Sequence, residues 1–365
     1  MKKNILFLMP ALFSGGAEKQ YRLIIENLKY NYNIIVILLK KSSKNFRNEE
    51  ERFINLNKEC QFIFVFNKEL NNNSSIKNNT EKILGIFLTR NAIKKILKMK
   101  RIDYAMFSYV NQLLLVSYLN KSNIKCIFNE RNTGRQICDK KYKISCLKKC
   151  YKVISNSDCA AQYIYEKGKI NVEVFNNGIT IENIEKRNHK GINIIVPARI
   201  SKIKNQMLML EAIQYLDFSN YNIIFVGGGD EQYIIKMKKF LQEHNNSNYN
   251  ITFVGFTDNI KEYYEIADIV VLPSFEEGTP NVLLESYMYK ILPLCSNIKM
   301  NLKCVNYIDL TFSPTSSLEL AEKINKYSKI MSSKEVKDIL ENNYKFVIDN
   351  YSINKMRQKY VELFK

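Results

Sequence analysis

Apolar runs of strand length alternate with amphipathic stretches along most of this chain. Ile5–Met9, Ile34–Leu39 and Phe62–Phe66 are continuous apolar runs, and Asp103–Tyr109, Lys125–Asn129 and Tyr151–Ser155 follow in the same style. The first run turns through Phe13-Ser14-Gly15-Gly16-Ala17-Glu18 into a helix extending to about Leu28. Later a basic helical segment ends at Lys148-Lys149-Cys150, a helix runs to about Gly168, and Asn171–Phe175 leads into Asn176-Asn177-Gly178-Ile179. Two polar stretches, Lys40–Glu51 and Asn67–Thr80, are expected to be mobile. Residues 181–190 are polar and lack periodicity, so they read as a linker in which His189 is solvated. The alternation then restarts with strands at Ile192–Val196, Asn222–Val226, Ile251–Val254, Asp268–Leu272 and Leu292–Cys295. Helices are expected between them at Asn205–Tyr215, Tyr233–Glu243 (with His244 at its exposed end) and Ile260–Ile266. Strands that alternate with helices predict an α/β protein with parallel, doubly wound sheets. One such domain is expected over residues 1–180 and a second over 191–348, followed by a final helical segment, 349–365.

Length fits this division, because 365 residues suffice for two ordinary domains with a core each. The apolar runs fall well short of the roughly 18 residues that span a bilayer. Met1-Lys2-Lys3-Asn4 before Ile5–Leu8 resembles the start of a signal peptide, but Pro10 and the Gly15-Gly16 loop interrupt it and favour a first strand. That points to the cytoplasm. Eight cysteines without a C-x-x-C pair, and two distant histidines, read as reduced thiols rather than a zinc site.

Charge adds an asymmetry. The chain carries +19, and residues 1–180 hold 32 Lys and Arg against 14 Asp and Glu, whereas residues 181–365 hold 23 against 22. A Lys- and Asn-rich habit would inflate both halves alike. One half is therefore expected to face something anionic: a membrane surface, a phosphate-bearing lipid or a polyanion. Within it, Glu81–Arg101 reads as a basic amphipathic helix. Ile83, Phe87, Ile93, Ile96 and Leu97 are expected to pack on the sheet, leaving a basic edge of Lys94, Lys95, Lys98, Lys100 and Arg101 for solvent or lipid headgroups.

The densest chemistry follows the strand Asp268–Leu272, in Pro273-Ser274-Phe275-Glu276-Glu277-Gly278-Thr279-Pro280-Asn281-Val282-Leu283-Leu284-Glu285. Thr279 is a good N-cap and Pro280 suits a first helical position, so a helix is expected to start there with free N–H groups for an anion. Glu285 has Val282, Met288 and Tyr289 as neighbours on its face, and a carboxylate aimed there needs donors such as sugar hydroxyls. The plainer alternative is a solvated Glu285, with Glu277 only favouring the helix dipole. Arg199 and Lys204 bracket the turn after Ile192–Val196 and offer a forked and a point-like cation for a diphosphate, or else an ordinary basic loop. Gly227-Gly228-Gly229, Val254-Gly255-Phe256 and Asn177-Gly178-Ile179 also follow strands, and each could be a plain turn. Gly15-Gly16 lets backbone approach a ligand but is no Gly-x-Gly-x-x-Gly fingerprint. There is no Asp-x-Asp, the usual place to look for a metal carrying a nucleotide diphosphate, which favours metal-free chemistry.

The Glu277-x7-Glu285 spacing with its Gly-Thr-Pro-Asn turn resembles the signature of the family 4 retaining glycosyltransferases, which have the GT-B fold. Arg199 and Lys204 resemble the family's Arg-x4-Lys pair. The resemblance covers nearly the whole chain. It implies two Rossmann-like domains facing each other across a cleft, with the final helix packing back toward the first. It further implies that Glu277 lies near the reacting carbon of the sugar and that Glu285 holds ribose hydroxyls. Gly278, Thr279, Pro280 and Asn281 would meet sugar and phosphates, and Gly15, Gly16, Gly227 and Gly255 would border the donor. Two departures stand out. Many relatives have a His after the fifth strand, where this chain has Glu130-Arg131-Asn132, so Glu130 or Arg131 is the acceptor-side candidate. Lys290 stands where a small residue is common.

The expected function is therefore transfer of a hexose-type sugar from a nucleotide-sugar, a UDP-sugar first, to a lipid-linked or glycan acceptor. The enzyme would work peripherally on the inner face of the cell membrane, against an anionic surface, with no cofactor, no metal and no nucleic acid. Bacterial-style surface polysaccharide or glycolipid assembly is the natural setting. Two alternatives are an epimerase or phosphorylase of the same architecture and a non-catalytic basic binding protein. No lysine setting for pyridoxal phosphate stands out, and the third reading leaves the clustered Arg199, Lys204, Glu277 and Glu285 as coincidence.

Overall fold

The computed structural model describes residues 2–13, 16–66, 79–180, 187, 189–217, 220–244, 250–257 and 259–365. Most of the expected linker, residues 181–186 and 188, lies outside them, as does 67–78 of the second polar stretch. The chain forms two compact units, Met1–Gly178 with Ile353–Lys365, and Ile179–Ser352.

The first unit is built on β1 (Asn4–Met9), β2 (Asn33–Leu38), β3 (Gln61–Phe64), β4 (Tyr104–Phe107), β5 (Lys125–Glu130), β6 (Lys152–Ser155) and β7 (Glu173–Val174). Every pairing is parallel, in the order β3-β2-β1-β4-β5-β6-β7. A parallel sheet is covered on both faces, which is why β1 is apolar at every position from Ile5 to Met9 rather than at alternate ones. Ile5, Phe7 and Met9 face a core shared with Tyr21, Ile24 and Leu28 of the helix Gly16–Leu28, and with Met356, Tyr360 and Phe364 at the chain's end. Leu6 and Leu8 face the other core, with Ile93 and Ile96. The helix Ile353–Leu363 thus belongs to this unit, where Tyr360 meets Phe175 edge-on at 5.1 Å.

Two local readings are corrected. Lys40–Glu51 is not a featureless stretch, because a helix spans Arg47–Leu56, burying Phe53 while Glu50 accepts from the backbone N–H and hydroxyl of Ser42. The basic helix, Asn79–Leu97, does not gather its apolar residues on one face. Gly85, Thr89, Ile93 and Ile96 turn inward at helical spacing, whereas Ile83 and Phe87 are 68% and 58% exposed. At 3.6 residues per turn, Ile83 and Phe87 share the outer side with Lys94 and Lys98.

The second unit carries β8 (Ile192–Pro197), β9 (Tyr221–Val226), β10 (Asn250–Gly255), β11 (Ile269–Leu272), β12 (Leu292–Ser296) and β13 (Thr311–Phe312). These are again parallel, in the order β10-β9-β8-β11-β12-β13. Ile194 and Val196 point into one core and Ile195 into the other, with Val270, Leu272, Leu283 and Tyr287. Strand order reverses between β8 and β11, and ligands of open α/β sheets bind outside the carboxyl ends of strands at such a point. Lys290 adopts a left-handed conformation, φ 49°, which accounts for the small residue common there, and its amine pairs with Glu341 at 2.6 Å.

Candidate active site

The carboxyl ends of β8, β9 and β10 are laced together by backbone hydrogen bonds. Ala198 N–H donates to Val226 O (3.0 Å), Ile200 N–H to Gly228 O (3.0 Å), Asp230 N–H to Ile200 O (2.9 Å) and Gly227 N–H to Gly255 O (2.9 Å). The glycines make this approach possible. A Cβ on Gly227 would lie 2.2 Å from Ala198 O, and one on Gly229 would lie 2.0 Å from Ile200 O. The Gly-rich turn therefore positions the loop that carries Arg199, whose side chain is exposed. Buried Gln206 clamps the same loop from below, accepting from Ser201 N–H (3.3 Å) and donating to Arg199 O (3.1 Å).

Lys204 and Glu277, far apart in sequence, meet at the switch point. Lys204 Nζ lies 2.6 Å from Glu277 Oε1, with side chains 25% and 7% exposed. The two loops are joined further by Phe275 N–H to Ile203 O (2.9 Å) and by Asn205, which donates to Pro273 O (3.2 Å) and Pro314 O (2.8 Å). Ser274 Oγ donates to Glu277 Oε1 at 2.7 Å from a fully buried position. A carboxylate this enclosed is tolerable because a cation and a hydroxyl compensate it.

The helix that follows starts one residue later than expected, at Asn281, and runs to Met288. Pro280 occupies the cap position with φ −76° and ψ 70°, and Asn281 N–H donates back to Thr279 O at 2.8 Å. This is an inverse γ-turn, whose ψ is not helical, so Thr279 does not cap and Pro280 is not the first helical residue. Glu285 is half-buried, and its Oε2 accepts from the Tyr264 hydroxyl at 2.8 Å. Tyr264 is fully buried and stacks on Tyr289, centroids 4.8 Å apart, and burial followed by the nearby Glu285 charge holds its pKa well above the ordinary value. Glu285 thus has a donor from the protein itself.

In the first unit Gly15 lies outside the described residues, and Gly16 opens the helix Gly16–Leu28, exposed. Glu130 and Arg131, at the end of β5, are both buried. Glu130 accepts from the N–H groups of Asn132 (2.8 Å) and Gly134 (3.3 Å), while burial pushes its carboxyl up despite those bonds. Arg131 donates to Asn177 Oδ1 at 2.6 Å. Both side chains shape the loops they sit in. Nearby, buried Glu18 accepts from the Tyr109 hydroxyl, a pairing that nothing in the spacing suggested.

The structure thus brings Arg199, Lys204, Glu277, Gly227 and Gly255 to one edge of the second sheet, with Gly278–Asn281 and Glu285 leading away from it. Sequence reading missed Ser274 and Gln206, whose side chains tie their own loops, and Asn205 and Tyr264, whose side chains reach across the fold. Among the described residues no three His, Cys, Asp or Glu side chains come together to hold a metal ion. Among the described residues the cysteines form no disulfide, and burial pushes the Cys126 thiol up to about 12.

Residues 179–346, nearly the whole second unit, match the family described as Glycosyl transferases group 1. Over 391 residues the chain is 22% identical to the GalNAc-alpha-(1->4)-GalNAc-alpha-(1->3)-diNAcBac-PP-undecaprenol alpha-1,4-N-acetyl-D-galactosaminyltransferase of Campylobacter jejuni, covering 99% of this chain and 98% of that one. Among solved structures, a glycosyltransferase from Rickettsia africae superimposes with a TM-score of 0.76 at 22% identity, covering 100% of this chain and 98% of its own. Anabaena HepE in complex with UDP gives 0.79 at 16% identity, covering 100% and 99%. Similar to such proteins end to end, the chain is a glycosyltransferase of GT-B fold whose residues 179–346 match the glycosyl transferases group 1 family.

Proposed function

We propose that the protein transfers a hexose-type sugar, with retention and without a divalent metal, from a UDP-sugar to a lipid-linked saccharide. The observation that carries this is the Lys204–Glu277 pair at the switch point of the second sheet, on the loop that also carries Arg199. A diphosphate placed there meets Lys204 and Arg199, whose charges stabilise it as it leaves. Glu277 then lies against the sugar, where a carboxylate stabilises the positive charge that builds on the anomeric carbon. Glu285, steadied by Tyr264, receives the ribose hydroxyls. The Campylobacter relative is named for an undecaprenol-PP-linked acceptor and the Anabaena structures for UDP and UDP-glucose, which supports both substrate classes. The test is release of UDP from UDP-sugars in the presence of a polyprenyl-pyrophosphate-linked saccharide and excess EDTA, with product anomery read by NMR. Glu277→Gln should abolish turnover; undiminished turnover in that variant, or dependence on added Mg2+, would refute the reading.

The acceptor would be met at the inner face of the cell membrane. Ile83, Leu84 and Phe87 form an exposed apolar end of the helix Asn79–Leu97, and Lys94, Lys95 and Lys98 continue the same outer side. Among the described residues no helix is long and apolar enough to cross a membrane. An apolar patch continuous with a cationic one suits partial insertion at an anionic interface. Cosedimentation with vesicles containing phosphatidylglycerol should be lost on Ile83→Ser/Phe87→Ser and weakened on Lys94→Gln/Lys95→Gln. Unchanged binding by both would rule this helix out.

A further inference from the structure

The Glu277 carboxylate is held from one side only. Oε1 accepts from both Lys204 Nζ (2.6 Å) and Ser274 Oγ (2.7 Å), while Oε2 takes no hydrogen bond among the described residues. The two donors differ in kind. Lys204 is a cation on a flexible stem, a quarter exposed and placed to meet a diphosphate. Ser274 is fully buried, and its own backbone is fixed. Ser296 Oγ donates to Ser274 O at 2.5 Å, and Asn301 Nδ2 donates to Ser296 O (2.9 Å) and Oγ (3.1 Å). Ser296 and Asn301 are also fully buried.

We infer that Ser274 is a positioning residue for the transfer: its hydroxyl keeps Glu277 in place with Oε2 toward the sugar when a bound diphosphate draws Lys204 away. The inference rests on the reading that Glu277 faces the transferred sugar. Without Ser274, Lys204 alone holds the carboxylate. The cation's movement toward phosphate would then carry Glu277 along or leave it unrestrained in the state that reacts. The hydroxyl matters most once donor is bound, so its loss should appear in kcat rather than in donor binding.

Steady-state kinetics and UDP binding on four variants test this. Ser274→Ala should lower kcat about 10- to 100-fold, the range for a hydrogen bond to a charged group, with KM for donor and Kd for UDP changed less than about threefold. Ser274→Thr keeps the hydroxyl and should recover most of the loss. Ser296→Ala removes a bond to the loop backbone but leaves the hydroxyl on Glu277, and should cost kcat less than Ser274→Ala. A purely structural role predicts the opposite: parallel losses in kcat and UDP affinity, with Ser296→Ala at least as harmful. That outcome, or full kcat in Ser274→Ala while Glu277→Gln is inactive, overturns the positioning role and leaves the site reading intact. Full activity in Glu277→Gln overturns both.

Discussion

Replacing Lys204 by Met keeps much of the side chain's length and removes its charge, leaving Glu277 almost enclosed with only the Ser274 hydroxyl as donor. At the observed 2.6 Å, and with an effective dielectric of about 20, the pair's gross attraction is about 6 kcal/mol. Desolvation of both ends cancels much of that, and breaking a fully buried pair costs about 3–5 kcal/mol. Lys204 is a quarter exposed and Ser274 remains, so the expected loss is nearer 2 kcal/mol. For a unit of this size that is a fall of about 4–8 °C in the unfolding transition. Adding Glu277→Gln removes the stranded charge, so the double variant should recover to within about 1 kcal/mol of the wild type. Activity should not recover, because neither the diphosphate cation nor the carboxylate is restored. Scanning calorimetry on the wild type, both single variants and the double variant, with UDP release measured on the same samples, forms a complete cycle. A Lys204→Met protein as stable as the wild type would refute the reasoning, as would a double variant whose losses simply add. Either result would mean that the pair contributes no coupling.

Two further outcomes are expected. Gly229→Ala places a Cβ 2.0 Å from Ile200 O, a backbone atom that cannot step aside, so the Arg199 loop should shift and UDP affinity should fall at least tenfold by calorimetry (roughly 1.4 kcal/mol). Tyr264→Phe removes the Glu285 donor and should cost about 1 kcal/mol of stability at neutral pH. Because burial and Glu285 raise the pKa of folded Tyr264, its stabilisation is complete below about pH 10, the ordinary tyrosine value, and is lost as pH rises above it. The wild type should therefore lose stability above that pH more steeply than Tyr264→Phe, as read by denaturant midpoints across an alkaline series; equal slopes would contradict this.

The local pattern of residues determined a great deal. Runs such as Ile5–Met9 and Ile269–Leu272 are apolar at every position, which only a strand covered on both faces requires, so two parallel sheets were legible without coordinates. Glu277, Glu285, Arg199 and Lys204 were legible through their resemblance to the Glu-x7-Glu and Arg-x4-Lys spacings of the family 4 glycosyltransferases. What tertiary structure alone decided is who meets whom. Lys204 and Glu277 pair across 73 positions, and Tyr264 reaches Glu285 from a different helix. Ser296 of the neighbouring strand holds the backbone of Ser274, whose hydroxyl reaches the carboxylate three residues on. Burial decided the rest. Glu130 and Arg131 looked available for a ligand but turned inward to satisfy loop N–H groups and Asn177, while Ile83 and Phe87 looked like core and turned outward. A sequence records the period of an element, but the face that a helix buries depends on the sheet beneath it, and that neighbour is chosen only when the chain folds.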